Sequence, residues 1–142
     1  MKKYFLVFSF LLFLMQVHAQ KNKADSLAAL LAKEKTDSNK VTLLWNMAMA
    51  TNTYNPDTAL FLSQKALHLA QKIKFINGES QSLVLIANSF LKIGNYPRAL
   101  DFYLQKLKLE EKRDNPGSLA SVIMNIGIVY VLQEEYRKAL PY

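Results

Sequence analysis

The sequence predicts an all-α protein, an α-α superhelix built from helix-turn-helix repeats. Three observations predict it: apolar residues recur with the period of a helix, a longer pattern of apolar and small residues recurs along the chain, and Gly, Asn and Pro mark the turns at matching places. Four glycines and four prolines in 142 residues leave little room for a turn-rich β-sandwich. With 51% apolar and 20% charged residues, the composition is that of a folded globular chain.

The first nineteen residues have the order of a secretory signal segment. Lys2 and Lys3 precede an apolar run over residues 4–15, and small or moderate residues lead up to Ala19. The run is about twelve residues long, shorter than the roughly 20 residues of a membrane-spanning helix. We therefore predict cleavage near Ala19 and a periplasmic or extracellular protein. The alternative is a short uncleaved anchor that keeps the chain at the membrane.

Residues 20–39 are predicted to form an N-terminal capping helix followed by a linker. The helix is expected between Asp25 and Lys35, because Leu27, Leu30 and Leu31 follow a helix start with helical spacing. Terminal units of a repeat array need a polar outer side, so we expect this helix to pack on the first repeat. A free linker is the alternative.

Residues 40–142 contain the repeated pattern, in three copies at about 40–76, 77–115 and 116–142. The second and third copies superimpose at one constant offset, and the first matches when its turn between helices is one position shorter. The third copy is incomplete, since the sequence stops one or two turns into its second helix. Residue class is kept at nine paired positions: Leu83/Ile123, Ile86/Ile126, Ala87/Gly127, Phe90/Tyr130, Tyr96/Tyr136, Arg98/Lys138, Ala99/Ala139, Leu100/Leu140 and Phe102/Tyr142.

Turn and packing signals divide each copy into two helices. Gly94 suits the left-handed position that ends a helix, and Asn55, Asn95 and Asn115 suit the position that caps the next one. Small residues are expected where the two helices of a copy touch: Ala48, Ala87 and Gly127 on the first helix, and Ala59, Ala99 and Ala139 on the second. A glycine within a helix costs roughly 1 kcal/mol relative to alanine, so we expect close helix contact at Gly127.

These residues resemble the tetratricopeptide repeat (TPR) over roughly residues 40–142. That family places a large residue, Leu-Gly and Tyr on the first helix, then a Gly-x-Tyr turn and a small residue on the second. The second copy has Leu83, Ile86-Ala87, Phe90, Gly94-Asn95-Tyr96 and Ala99 at these places. Lys106 departs from the pattern, because Ala66 supplies the usual alanine in the first copy, and Glu134 replaces the glycine found at Gly94. The resemblance implies a right-handed solenoid that binds a protein or peptide.

No recognisable catalytic or metal-binding pattern follows the signal segment. Cysteine is absent, His68 is the one histidine after residue 19, and no glycine-rich phosphate loop follows a strand. Carboxylates such as Glu110 are expected at exposed positions near helix ends, and serines such as Ser80 and Ser118 are expected to cap helices. We therefore predict no enzymatic activity, no cofactor and no metal.

The excess of basic residues indicates solvated helix faces rather than a nucleic-acid site. The formal charge of +7 falls to +5 without Lys2 and Lys3. Basic residues are interleaved with acids, as in the stretch that contains Lys106, Lys108, Glu110 and Glu111. We therefore expect no nucleic-acid partner.

The expected function is to bind another polypeptide. In stacked helix pairs the first helix of each pair lines the concave side, where methionine and tryptophan offer adaptable apolar contact. The alternative for the apolar members is burial against neighbouring helices. The predicted partner-binding residues are Trp45, Met49, Asn52, Val84, Asn88, Leu91, Lys92, Met124, Ile128 and Leu132.

A second interpretation places the chain in a larger receptor. A signal segment, a short Asp-Ser-Leu-x-x-Leu-Leu helix and repeats of this length are similar to the N-terminal extracytoplasmic region of some bacterial sensor histidine kinases. The incomplete third copy also leaves a packing face uncovered, which favours association. We therefore expect either a scaffold, with self-association through the last copy, or the truncated sensory input region of a signalling receptor held at the membrane by a missing C-terminal region.

Overall fold

The computed structural model describes Ser26 and residues 29–142, which contain helices and turns and no strand. This confirms the all-α prediction. The predicted signal segment at residues 1–19 and the start of the predicted capping helix lie outside the described residues. The helices are α1 (described over residues 29–33), α2 (Asp37–Thr51), α3 (Pro56–Lys72), α4 (Ile76–Ile93), α5 (Tyr96–Glu111), α6 (Pro116–Leu132) and α7 (Tyr136–Ala139).

Left-handed residues end successive helices from α3 to α6 at equal intervals along the chain. They are Lys74, Gly94, Asp114 and Glu134, with φ values of 56°, 82°, 50° and 61°. The prediction for Gly94 is confirmed, because glycine adopts this conformation without the steric cost that a Cβ brings. The other three positions hold side chains, and their backbone carries that cost.

Asparagine side chains begin three of the helices. The Oδ1 atoms of Asn55, Asn95 and Asn115 accept hydrogen bonds from the backbone N–H three positions later, at 3.0, 3.2 and 3.1 Å. Each bond satisfies a donor that the first turn of a helix leaves free. The predicted asparagine caps are therefore confirmed. Ser80 and Ser118 are not caps, as they lie inside α4 and α6.

The helices pack in the order of the chain. Each of α2 to α6 contacts the next helix along the sequence, and α2 also contacts α4. Helix pairs α2–α3, α4–α5 and α6–α7 therefore stack as a helical-repeat solenoid. In the first two pairs, predicted small residues lie in the core: Ala48, Ala59, Ala87 and Ala99 have no exposed surface.

Gly127 lies where α6 passes close to the end of the chain. A Cβ added there would lie 3.3 Å from Cβ of Tyr142 and 3.9 Å from the carbonyl oxygen of Ala139. Close contact, the expected reason for this glycine, is therefore present. A second close approach occurs at Gly78 on α4, where a Cβ would lie 2.6 Å from side-chain atoms of both Val41 and Phe75.

The core consists of apolar clusters along the stack. One joins α4, α5 and α6 through Ala87, Ala99, Tyr103, Val122, Ile126 and Val129. A second joins α2 and α3 through Val41, Leu44, Ala66 and Ala70, and a third contains Ala48, Ala59 and Leu85. Leu31 of α1 packs against the second cluster, so the described part of the predicted capping helix does contact the first repeat.

An aromatic pair recurs at equivalent positions of the second and third copies. The ring centroids of Phe90 and Phe102 are 5.7 Å apart, and so are those of Tyr130 and Tyr142. These distances lie within the range of favourable aromatic contacts. The two copies therefore share a packing contact as well as a sequence pattern.

Candidate partner-binding face

The predicted partner-binding residues lie on the first helices of the three pairs, α2, α4 and α6, except Asn52, which directly follows α2. We refer to this set, without Asn52, as the first-helix face. Its exposed members are mainly apolar: Met49 is 49% exposed, Met124 57%, Ile128 43% and Leu132 46%. Lys92 at the end of α4 is also exposed and is the one charged member of the set.

The exposed residues of α6 form a continuous apolar stripe. Met124, Ile128 and Leu132 follow each other at the i, i+4 spacing, which places them on one side of the helix. Neighbouring Val131 is 48% exposed and widens the stripe. No charged residue occurs anywhere in α6. An unbroken apolar surface of this kind on a helix is typical of a site that contacts another polypeptide.

The members on α4 are partly covered. Val84 and Leu91 are half-buried and pack against the cluster that joins α4, α5 and α6. Asn88 accepts a hydrogen bond from the hydroxyl of Tyr103, and burial raises the pKa of Tyr103 to about 12. The hydroxyl therefore stays protonated, and its hydrogen bond fixes the orientation of the Asn88 amide.

Trp45 of α2 is half-buried against the cluster of Ala48, Ala59 and Leu85. Its indole Nε1 is buried and has no hydrogen-bond partner among the described residues. Part of this side chain therefore packs against the core, which is the alternative that the sequence left open for it.

Asn52 is not on the surface. The residue is 8% exposed, and its Oδ1 accepts a hydrogen bond of 2.9 Å from the hydroxyl of Ser89. The sequence placed it with the partner-binding residues because it was expected on the first helix, outside the residues that pack between helices. The close packing of α2 on α4 uses it instead as a polar link between two first helices.

A buried charged cluster lies where α4, α5 and α6 meet. We call it the charge junction and define it as Ser80, Lys106, Glu110, Arg113 and Ser118. The Lys106 ammonium donates to Ser80 Oγ at 2.7 Å, to Ser118 Oγ at 2.9 Å and to Glu110 Oε1 at 3.2 Å. Glu110 Oε1 also accepts from the Ser80 hydroxyl. Arg113 Nη1 lies 3.0 and 3.2 Å from the two oxygens of Glu110.

The charge junction corrects two expectations from the sequence. Lys106 is 5% exposed and Glu110 is 0% exposed, so neither belongs to a solvated face. Burial raises the pKa of Glu110, but hydrogen bonds from Ser80 and Lys106 and the charge of Lys106 oppose it, and the net pKa lies below its ordinary value of 4.5. Glu110 is therefore an ionised, paired carboxylate in the core. The departure of Lys106 from the repeat pattern was the signal that could have identified it.

The described residues offer no arrangement for metal chemistry. Within Ser26 and residues 29–142, no group of three or more His, Cys, Asp or Glu side chains is placed to hold a metal ion. His68 lies exposed on α3. None of the helices in this part of the chain combines the length and the apolar character needed to cross a membrane.

Comparison with known proteins supports the repeat fold. The family described as Tetratricopeptide repeat matches residues 82–117, which run from the middle of α4 into α6. No curated protein sequence matches the chain significantly.

Two solved structures resemble the chain at low sequence identity. The TPR domain of Arabidopsis FLU is 17% identical with a TM-score of 0.69, over 73% of this chain and 88% of that one. Aspartyl phosphate phosphatase F from Bacillus subtilis is 19% identical with a TM-score of 0.75, over 79% of this chain and 30% of that protein. The chain therefore has a fold similar to that of TPR domains, with the family's sequence pattern clearest in its second copy.

Proposed function

We propose that this protein is an exported scaffold that holds a polypeptide partner on its first-helix face. The observation that carries the proposal is the exposed apolar stripe of Met124, Ile128 and Leu132 on a helix without charged residues. Exposed apolar patches on folded proteins commonly mark interaction sites. The TPR-like fold suggests the same class of function, although a fold alone does not determine it.

The face offers adaptable apolar contact bordered by one positive charge. Met49 and Met124 are flexible and polarizable side chains that adjust to the shape of a partner. Lys92 lies on α4, between α2 and α6 in the stack. The proposed partner is therefore a peptide or protein segment with exposed apolar side chains, and the chain itself contributes no catalysis.

A matched pair of variants tests the face. We expect Met124→Ser with Ile128→Ser to weaken capture of a partner from periplasmic extract, and its affinity by about tenfold or more once it is purified. Phe61→Ser is the control, because Phe61 is 55% exposed on α3, a second helix of a pair. Equal binding by both variants and the unchanged chain would refute the proposed face.

Export is part of the proposal and has its own test. The order of charged, apolar and small residues over positions 1–19 supports it. N-terminal sequencing of the protein recovered from the periplasm or medium should find a chain that begins just after Ala19. A recovered chain that still begins at Met1 would contradict cleavage.

A sensory input region is the second candidate function. The sequence order of signal segment, short helix and repeats favours it, and the Bacillus subtilis neighbour has a fold of this kind as part of a longer protein. Reading the DNA downstream of the Tyr142 codon tests it. Further repeats, a membrane-spanning helix and a kinase in frame would support the receptor, and a stop codon followed by unrelated sequence would contradict it.

Self-association through the third copy is a separate proposal about partners. It rests on exposed apolar side chains at the end of the third copy, where Tyr136 is 61% and Leu140 84% exposed. Sedimentation velocity over a hundredfold range of concentration would show a growing dimer fraction if it is correct and a constant monomer if it is wrong.

A further inference from the structure

The interface between the first and second helix pairs and the interface between the second and third have different residues at five equivalent positions. The copies align at their constant offset, with α2 shifted by one position because the first turn is shorter. In this alignment every member of the charge junction replaces an apolar or small residue of the first copy. The equivalent residues, which we call the apolar junction, are Val41, Ala66, Ala70, Ile73 and Gly78 in place of Ser80, Lys106, Glu110, Arg113 and Ser118.

The hydrogen bonds of the charge junction depend on one another. The three hydrogens of the Lys106 ammonium are directed to Ser80, Ser118 and Glu110, which is the full donor capacity of a lysine. Glu110 is the one anion in the cluster, and it accepts from both Lys106 and Arg113. Without its charge, the buried Lys106 ammonium and the partly exposed Arg113 guanidinium would lie together without an anion.

The charge junction and an apolar cluster divide the docking of α6 between them. The middle and end of α6 dock through Val122, Ile126 and Val129, which belong to the apolar cluster shared with α4 and α5. The beginning of α6 reaches the cluster of charges through Ser118, whose hydroxyl accepts from Lys106. The start of α6 is therefore attached by a polar contact that is absent from the first junction.

We propose that the charge junction is a joint at which α6 separates from α5 while the first two helix pairs stay folded, and that the Glu110 carboxylate holds this joint closed. In repeat proteins each unit contacts only its neighbours, so one interface can open without the others. Loss of the Glu110 charge leaves Lys106 and Arg113 uncompensated, and burial of an unpaired charge is strongly unfavourable. Separation of α6 relieves this, because it returns Lys106 to water.

Acid acts on the same joint. Glu110 contacts Lys106 on α5, Arg113 in the turn after α5 and Ser80 on α4. Ser118 on α6 is linked to it by its hydrogen bond from Lys106. The two titratable groups that contact Glu110, Lys106 and Arg113, are therefore both cations. The pKa of Glu110 is lower in the folded chain than its ordinary value of 4.5. Its ionisation therefore stabilises the fold above pH 4.5, and this stabilisation is lost as the pH falls through the folded-state pKa.

Amide hydrogen exchange on the full chain tests the proposal. In Glu110→Gln we expect exchange in α6 to rise roughly a hundredfold while exchange in α3 stays near that of the unchanged chain. Glu111→Gln is the matched control, since it removes an exposed carboxylate next to Glu110. Lys106→Met with Glu110→Met removes the buried ion pair at similar volume and leaves only the partly exposed Arg113 without an anion, so it should restore most of the protection of α6. Equal acceleration in α3 and α6, or a double variant as unprotected as Glu110→Gln, would overturn the proposal.

A second experiment decides the matter if Glu110→Gln does not fold. In the unchanged chain, the ratio of α6 to α3 exchange, corrected for intrinsic rates, should rise as the pH falls below 4.5. The variant that carries the residues of the apolar junction (Ser80→Val, Lys106→Ala, Glu110→Ala, Arg113→Ile and Ser118→Gly) should lose this rise. A ratio that does not change with pH in the unchanged chain would contradict the joint.

Discussion

The apolar junction and the charge junction occupy equivalent places in the solenoid but are held together by different forces. In the first, Ala66 and Ala70 have no exposed surface, and Gly78 allows α4 to approach closely. In the second, Lys106 and Glu110 occupy the alanine positions, and the helices are linked by hydrogen bonds and ion pairs. The contact of α3 with α4 is also more extensive than that of α5 with α6.

The difference teaches which change each interface tolerates. The apolar junction depends on shape, because buried small residues leave no space for additional atoms. The charge junction depends on pairing, because a buried ion pair adds little net stability while the loss of one partner costs about 3–5 kcal/mol. The first interface should therefore be sensitive to added volume or charge, and the second to the loss of a single charge.

The largest expected effect comes from bringing a charge into the apolar junction. Ala66→Lys copies Lys106 into a fully buried position that has no anion, and we expect the free energy of unfolding to fall by about 4 kcal/mol or more. Urea denaturation measures it. Addition of Ala70→Glu supplies the partner found in the second junction and should recover part of the loss. A single variant within about 1 kcal/mol of the unchanged chain would contradict the contrast between the junctions.

A smaller effect is expected from one added methyl group. Gly78→Ala places a Cβ 2.6 Å from atoms of Val41 and Phe75, both stiff side chains, and should lower the free energy of unfolding by about 2 kcal/mol. Gly117→Ala is the matched control on the equivalent helix of the third copy, where nothing but the Asn115 side chain lies within 4 Å. It should be neutral or stabilise by about 0.5 kcal/mol through better helix propensity. Equal effects of the two substitutions would show that helix propensity, not close approach, decides.

The smallest effects are expected at the turns of the second and third copies. Gly94→Ala puts a Cβ at φ 82° in open space, so the loss of about 1 kcal/mol would be conformational alone. Glu134→Gly makes the reverse change at φ 61° and should stabilise by about 0.5 kcal/mol. Both are measured by urea denaturation of the single variants. Destabilisation by Glu134→Gly would mean that its side chain contributes more than its backbone conformation costs.

The local features of the fold could be predicted from the sequence. Asn55, Asn95 and Asn115 act on the backbone three positions away, and Gly94 acts on its own φ angle, so neighbouring residues suffice to identify them. The order in which the helices pack could also be predicted from the repeat period, because each helix contacts the next one along the chain.

The charge junction could not be predicted from local pattern. Lys106 and Glu110 have the i, i+4 spacing, which is equally typical of an exposed ion pair on a helix surface. Their burial depends on Ser80 and Ser118, which lie on two other helices. The available signal was the departure of Lys106 from the repeat pattern, and the replacement of the other four equivalent positions becomes informative only when the contacts of each position are known.

For the candidate site, the sequence predicted the helices that carry its residues but not how deeply each side chain is buried. Helical spacing correctly assigned residues to the first helices but could not determine how closely those helices approach each other. Met124 and Ile128 are exposed, whereas Asn52 is taken up by its hydrogen bond to Ser89 and Trp45 is half-covered by the core. The burial of these side chains depends on how closely neighbouring helix pairs pack, which the residues of one helix do not determine.

The regular spacing of the left-handed turns has a consequence for genetic recombination between the copies. Because Lys74, Gly94, Asp114 and Glu134 are evenly spaced, loss or duplication of a segment as long as two of these intervals keeps these four turns in phase. The block that runs from residue 77 to 116 also carries Lys106 and Glu110, and its loss would place Ser118 against Ala66 and Ala70. The turn spacing would let copies be exchanged without a shift of the helices, but the charged residues of the second copy require the serines of the charge junction.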